Sequence, residues 1–90
     1  MAAVVMMRAL VGNYDKWRVA FDANASFREE SGVSDVEIYC SPEDVNTLLV
    51  LEFFESTKAA ELYASNPELV GSSHAGGAVG APRVSVFTAT

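Results

Sequence analysis

The sequence is poor in the residues that most often declare a chemistry. It holds one cysteine and one histidine in 90 residues. A lone Cys40 closes no internal disulfide, and a zinc site would need several more ligands, so no metal is expected. Basic residues are few, six lysines and arginines against twelve acids, for a net charge of −6. Arg8, Lys16, Arg18, Arg28, Lys58 and Arg83 are scattered along the chain. Nucleic-acid binding needs clustered cations to neutralise phosphates, so no nucleic-acid partner is expected. Attraction to an anionic membrane surface is disfavoured for the same reason. No apolar run approaches the length that spans a bilayer. The opening MAAVVMMRALV has neither the basic lead nor the long apolar core of a secretion signal, which points to a cytoplasmic protein.

What is present is apolar. Half of the residues are hydrophobic, among them Trp17, three tyrosines and five phenylalanines. Ninety residues make a single domain, 1–90, and a chain of that length buries only about 60–65% of its unfolded surface. Such a composition leaves apolar surface to cover, and self-association is one way to cover it.

Periodicity gives the order of elements. Residues 3–11, AVVMMRALV, are apolar at both alternating sets, as in a strand buried on both faces. Gly12 and Asn13 end it, and Asn13 is a good N-cap with Asp15 in the following turn. From Tyr14 to about Glu30, Trp17, Ala20, Phe21, Asn24, Phe27 and Arg28 share one helical face, and Gly32 suits a left-handed stop. Residues 34–41 alternate, Val36, Ile38 and Cys40 against Asp35, Glu37 and Tyr39, as in a half-polar edge strand. Pro42 marks a turn. TLLVLEFF, 47–54, is a second two-sided apolar strand, broken by Glu52. Ser56 caps a helix through TKAAELYA, which breaks at Asn66-Pro67. RVSVFTAT supplies the last strand.

The order β-α-β-β-α-β predicts an α+β, ferredoxin-like fold. Its four-stranded antiparallel sheet has spatial order 4-1-3-2, with both helices on one face. The first and third strands are apolar on the face the helices leave bare. A second copy packed sheet to sheet is the simplest cover, so a homodimer is expected.

The stretches YDKWRVAFDA, REESGV, SPEDVNTLLVLEFFES and the close NPEL…AGGAVGAP resemble the dimeric α+β barrel superfamily. They are most similar to its small members of antibiotic-biosynthesis-monooxygenase and cyclase type. The resemblance implies a homodimeric barrel with a pocket in each subunit between sheet and helices. It also implies chemistry on aromatic or polyketide-derived molecules without a cofactor. The haem-degrading branch places an asparagine on the first strand and a histidine at or after the second helix. Only His74 fits, so haem is set aside.

The candidate site residues follow. Trp17 and Phe21 can hold an aromatic substrate or simply fill the core, and Asn24 can donate to a substrate oxygen or sit satisfied at the boundary. Arg28 can steer a carboxylate or enolate, or lie along the surface. Tyr39 can donate a phenolic proton into a barrel or pocket. Arg8 and Glu52, on neighbouring strands, are expected to pair, the alternative being Glu52 as a general base. The glycine-rich stretch 72–82 reads as a flap, with His74 exposed or acting as a proton shuttle at its mouth. The catalytic candidates are thus His74, Asn24 and Tyr39, and the substrate-binding ones Trp17, Phe21 and Arg28. The enzyme reading is a cofactor-independent monooxygenase or cyclase taking a small apolar or aromatic ligand. A non-catalytic homodimeric binding or scaffold protein has the same sequence signature.

Overall fold

The computed structural model describes residues 2–66, Gly77, Val79 and 82–90. The elements are β1 (Ala3–Leu10), α1 (Tyr14–Ala23), α2 (Ala25–Glu30), β2 (Val33–Ser41), β3 (Asp44–Phe54), α3 (Thr57–Ala64) and β4 (Arg83–Thr88). The four strands form one sheet in the order β2-β3-β1-β4, and every neighbouring pair is antiparallel. This is the α+β, ferredoxin-like arrangement expected from the sequence.

The helix starts are fixed by the expected residues. The Asn13 side chain accepts from the Lys16 N–H at 3.0 Å, and the Ser56 hydroxyl accepts from Ala59 N–H at 3.0 Å. Each satisfies a backbone donor that has no partner inside its helix. Asn46 of β3 adds a second tie, its Oδ1 accepting from Tyr14 N–H at 3.0 Å. The entry of α1 is therefore pinned to the central sheet.

The expected single helix from Tyr14 to Glu30 is two. It breaks at Asn24, whose backbone sits at φ −95° and ψ 15°. The Asn24 N–H bonds Phe21 O in a tighter turn, while its side-chain amide donates back to Ala20 O at 3.0 Å. Asparagine competes in this way with the helical ladder. Gly32 then takes φ +97° to turn the chain into β2.

Register decides the core. On β1 the residues Ala3, Val5, Met7 and Ala9 are buried, and on β3 Leu48, Val50, Glu52 and Phe54. The apolar ones, Ala9 excepted, pack with Trp17, Ala60 and Tyr63 of the helices. Fully burying one such aliphatic or aromatic side chain is worth about 1.5–3 kcal/mol. The alternate residues look the other way. Val4, Met6, Leu49, Leu51 and Phe53 are half-buried, while Leu10, Tyr39 and Phe87 are exposed. One sheet face is therefore apolar and uncovered among the described residues.

The expected Arg8–Glu52 pair does not form. The two strands are neighbours, but Arg8 is opposite Leu49 and Glu52 opposite Val5. The side chains leave opposite faces of the sheet. Glu52 alternates in phase with the buried Val50 and Phe54, whereas Arg8 is out of phase with the buried Met7 and Ala9. Beyond α3, Gly77 O accepts from Gly12 N–H at 3.2 Å and Val79 N–H donates to Leu10 O at 2.6 Å. The remainder of the 72–82 stretch read as a flap lies outside the described residues, apart from Pro82.

Gly32→Ala tests the turn. An added Cβ meets only Ala59 and Phe54 at an ordinary 3.9 Å, so the penalty is that of the left-handed backbone alone. We expect a loss of about 1–2 kcal/mol in urea denaturation with an unchanged m-value.

Candidate functional site

The interior between helices and sheet is built from two aromatic groups. Trp17 and Phe21, one helical turn apart on α1, stack with ring centroids 4.9 Å apart, and Tyr14 lies 6.0 Å from Trp17. Trp17 is 3% exposed. Under β3, Tyr63 of α3 meets Phe54 at 5.3 Å and Phe27 of α2 at 5.8 Å.

Two charged residues enter this apolar space, Arg28 at 9% and Glu52 at 1% exposure. The Arg28 guanidinium lies 3.6 Å from the Phe21 ring centroid and donates to Phe21 O at 2.7 Å. That carbonyl lies next to the helix break, so the break supplies the acceptor. Burial pulls the Arg28 pKa below its ordinary value, opposed by the negative charge of Glu52. The cation is held by a carbonyl and a π face. Among the described residues the ion pair is Arg18–Asp22, at 3.2 Å on the surface of α1.

Glu52 is asymmetric. Its Oε2 accepts a 2.7 Å hydrogen bond from the Tyr63 hydroxyl, while Oε1 is buried with no partner among the described residues. Burial pushes the Glu52 pKa up, against the opposing pull of Tyr63 and Arg28. Burial and the neighbouring carboxylate push the Tyr63 phenol up strongly, so it stays a donor.

The candidates from sequence distribute unevenly. Trp17, Phe21 and Arg28 come together, and Arg28 is buried rather than laid on the surface. Asn24 is on the same helical segment, but its amide donates to its own helix. Tyr39 does not share this interior. It is opposite Leu49 on the open sheet face, where its hydroxyl donates to Glu37 Oε1 at 3.0 Å, a bond that raises its pKa. Strand alternation puts it there, one residue out of phase with Ile38. His74 lies outside the described residues. Sequence reading missed the Glu52–Tyr63 bond. The available signal was parity, since Glu52 alternates in phase with Leu48, Val50 and Phe54, and Tyr63 is three residues past Ala60 on α3.

An open cleft of about 420 Å³ adjoins the start of α1, lined by Gly12, Asn13, Tyr14, Asp15, Val45 and Asn46. Among the described residues no three histidine, cysteine or carboxylate side chains cluster as a metal site would need. No helix among them is long and apolar enough to cross a membrane.

Comparison with known proteins follows the same lines. A family model described as antibiotic biosynthesis monooxygenase matches residues 1–70. Among solved structures, the chain is similar to SnoaB, a cofactor-independent oxygenase from Streptomyces nogalater. The identity is 14%, covering 99% of this chain and 92% of that one, with TM-score 0.72. It is also similar to a putative antibiotic biosynthesis monooxygenase from Bordetella bronchiseptica, at 10% identity, 99% and 97% coverage and TM-score 0.79. Rv0793 from Mycobacterium tuberculosis matches at 17% identity, 100% and 96% coverage and TM-score 0.68. No curated protein matches in sequence.

The buried carboxyl has a thermodynamic signature. Its pKa is raised in the folded chain, so the folded state binds the proton more tightly than the unfolded one. Glu52 therefore weakens stability as pH rises from the ordinary carboxylate range through its folded pKa. Replacing it with glutamine removes this dependence. We expect the melting temperature of Glu52→Gln, relative to the unaltered protein, to increase as pH rises above the ordinary carboxylate range.

Proposed function

Because the chain belongs to the antibiotic biosynthesis monooxygenase family, we propose that it is a small cofactor-independent monooxygenase acting on an aromatic or polyketide-derived molecule. The family match over residues 1–70 carries this reading, since the fold by itself hosts many activities. The interior supplies group types that such chemistry uses. Stacked Trp17 and Phe21 offer aromatic surface, and Arg28 offers a fixed cation where negative charge develops.

Oxygenation without a cofactor requires a substrate that forms a stabilised carbanion. A methylene flanked by two aromatic rings that conjugate it to a carbonyl does so. Loss of a proton leaves the electron pair on carbon, and dioxygen adds there to give a peroxide anion. Protonation and loss of water then yield a ketone. One methylene and one molecule of dioxygen thus become one carbonyl and one molecule of water. Trp17, Phe21 and Arg28 bind the substrate in this reading, with Asn24 and His74 as further polar groups of the site.

The working unit is a homodimer closed over the bare sheet face. Val4, Met6, Leu49, Leu51 and Phe53 offer a contiguous apolar surface of the kind that marks association. Tyr39, on the same face, belongs to that interface or to the barrel it encloses.

Two measurements test these readings. Native mass spectrometry is expected to show two chains, and Leu51→Glu to shift the population to one. Purified, chelator-treated protein is expected to convert 1,8-dihydroxyanthrone to the anthraquinone faster than its spontaneous oxidation, with one dioxygen consumed per product. Tight binding of hydroxyanthrones with no acceleration of their oxidation would instead identify a binding protein.

A further inference from the structure

We propose that Glu52 is the proton acceptor of the site, taking a substrate proton onto Oε1 while Tyr63 holds Oε2. The proposal deepens the oxygenase reading above and rests on it for the identity of the substrate.

An ionised carboxyl in an apolar core is expensive unless it is paired and fully hydrogen-bonded. Glu52 is 1% exposed, and no cation lies within ion-pair distance of it among the described residues. A residue serving only as a structural anchor would have both oxygens satisfied. Here one oxygen is fixed at 2.7 Å and the other is left bare. Unsatisfied buried polar atoms are few in native proteins and mark strain, catalysis or an absent ligand.

Tyr63 of α3 faces the carboxyl with a phenol that keeps its proton, so it orients Glu52 without competing as a base. Arg28 of α2 acts on it from a distance. Asp22 and Arg18 of α1 act in turn on Arg28 and pair with each other at the surface. The strand partners, Val5 of β1 and Val36 of β2, are uncharged. The carboxyl thus has one donor that favours its charged form and a dry environment that favours its neutral form. Those opposing terms suit a group that must both accept and return a proton.

The cycle balances. The Glu52 carboxylate takes the proton of an acidic C–H, and the bonding pair stays on the substrate. Dioxygen adds to that carbanion, and the protonated Glu52 returns its proton to the resulting peroxide anion. Loss of water from the hydroperoxide completes the product and leaves the carboxylate restored. Arg28 is placed to stabilise the anion between these steps, and Tyr63 is a positioning residue.

Proton removal can be read apart from oxygenation. Under anaerobic conditions in heavy water, the full chain is expected to catalyse deuterium exchange into the methylene of 1,8-dihydroxyanthrone. Glu52→Gln should slow this by about 100-fold or more. Exchange in the unaltered protein should rise with pH as Glu52 ionises. Tyr63→Phe removes a bond that holds the carboxylate form, so it should move that rise to higher pH; a merely structural bond would leave it in place. The Tyr63→Phe profile also decides the matter if Glu52→Gln fails to fold. Equal exchange with and without Glu52, no catalysed exchange, or an unmoved profile overturns the proposal. Glu52-dependent exchange without oxygenation in air would leave the base in place and reject the oxygenase reading instead.

Discussion

The ladder between β1 and β3 is the constraint on which the rest of the molecule depends. Its eight pairs run from Ala3 opposite Phe54 to Leu10 opposite Thr47. They decide which residues of the two central strands meet the helices. Side chains alternate with a period of two, so a slip of one residue would exchange every inward group of the slipped strand for an outward one. Were β1 to slip, Val5 and Met7 would leave the core and Arg8 would enter it. The hydrophobic difference between the two registers is less sharp than in most sheets, because both sets of alternating residues are apolar. Polar positions therefore carry much of the choice. Only one register puts Arg8 in contact with solvent and gives Glu52 a hydroxyl from Tyr63.

The buried charges show how closely local backbone and interior are coupled. Arg28 is accommodated because the helix breaks at Asn24, which places Phe21 O within 2.7 Å of its guanidinium and the Phe21 ring beneath it. A charge-assisted hydrogen bond contributes about 1.5–3 kcal/mol and a desolvated cation–π contact about 2 kcal/mol. The desolvation of a buried ion is several kcal/mol. These terms are of similar size, so Arg28 adds little net stability where it lies. Glu52 is worse placed by the same comparison, having one hydrogen bond for two oxygens. The two most buried charges are thus poorly explained as supports of the fold and better explained by what they present to the interior.

Much of the fold was legible in the sequence because local signals agreed with the global arrangement. Asn13 and Ser56 cap where their side-chain chemistry suits a cap, Gly32 sits where φ is positive, and the alternation in 34–41 gives the correct faces of β2. The strand order followed from the sequence of elements and the requirement that helices cover one face. The misreadings have a common physical source. Adjacency of strands was legible, but pairing of Arg8 with Glu52 required relative register, which no local pattern carries. The helix break depended on a side-chain bond from Asn24 to Ala20 O that competes with a good helical periodicity. Tyr63 read as one more apolar contact because a phenol and a phenyl ring give the same hydrophobic pattern. Trp17, Phe21 and Arg28 were legible as one helical face, but the depth of Arg28 was not, since its burial depends on how α2 lies on the sheet.

The most telling consequence concerns neighbours in sequence. Leu51 and Glu52 are adjacent on β3, yet one belongs to the open apolar face and the other to the helix-covered interior. The strand is a thin plate, with the surface proposed for association on one side and the proposed site on the other. Rigid pairing couples the two without any direct contact between them. A second copy seated on Leu49, Leu51 and Phe53, as proposed, would restrict β3, and the same backbone restriction would fix where Val50, Glu52 and Phe54 stand against α3. The hydrogen bond from Tyr63 is short and directional, so small displacements of β3 would weaken it. Covering the bare face would therefore do more than hide apolar surface. In the proposed dimer it would also hold the Glu52 carboxyl at its 2.7 Å distance from Tyr63, on the side of the strand opposite the association surface.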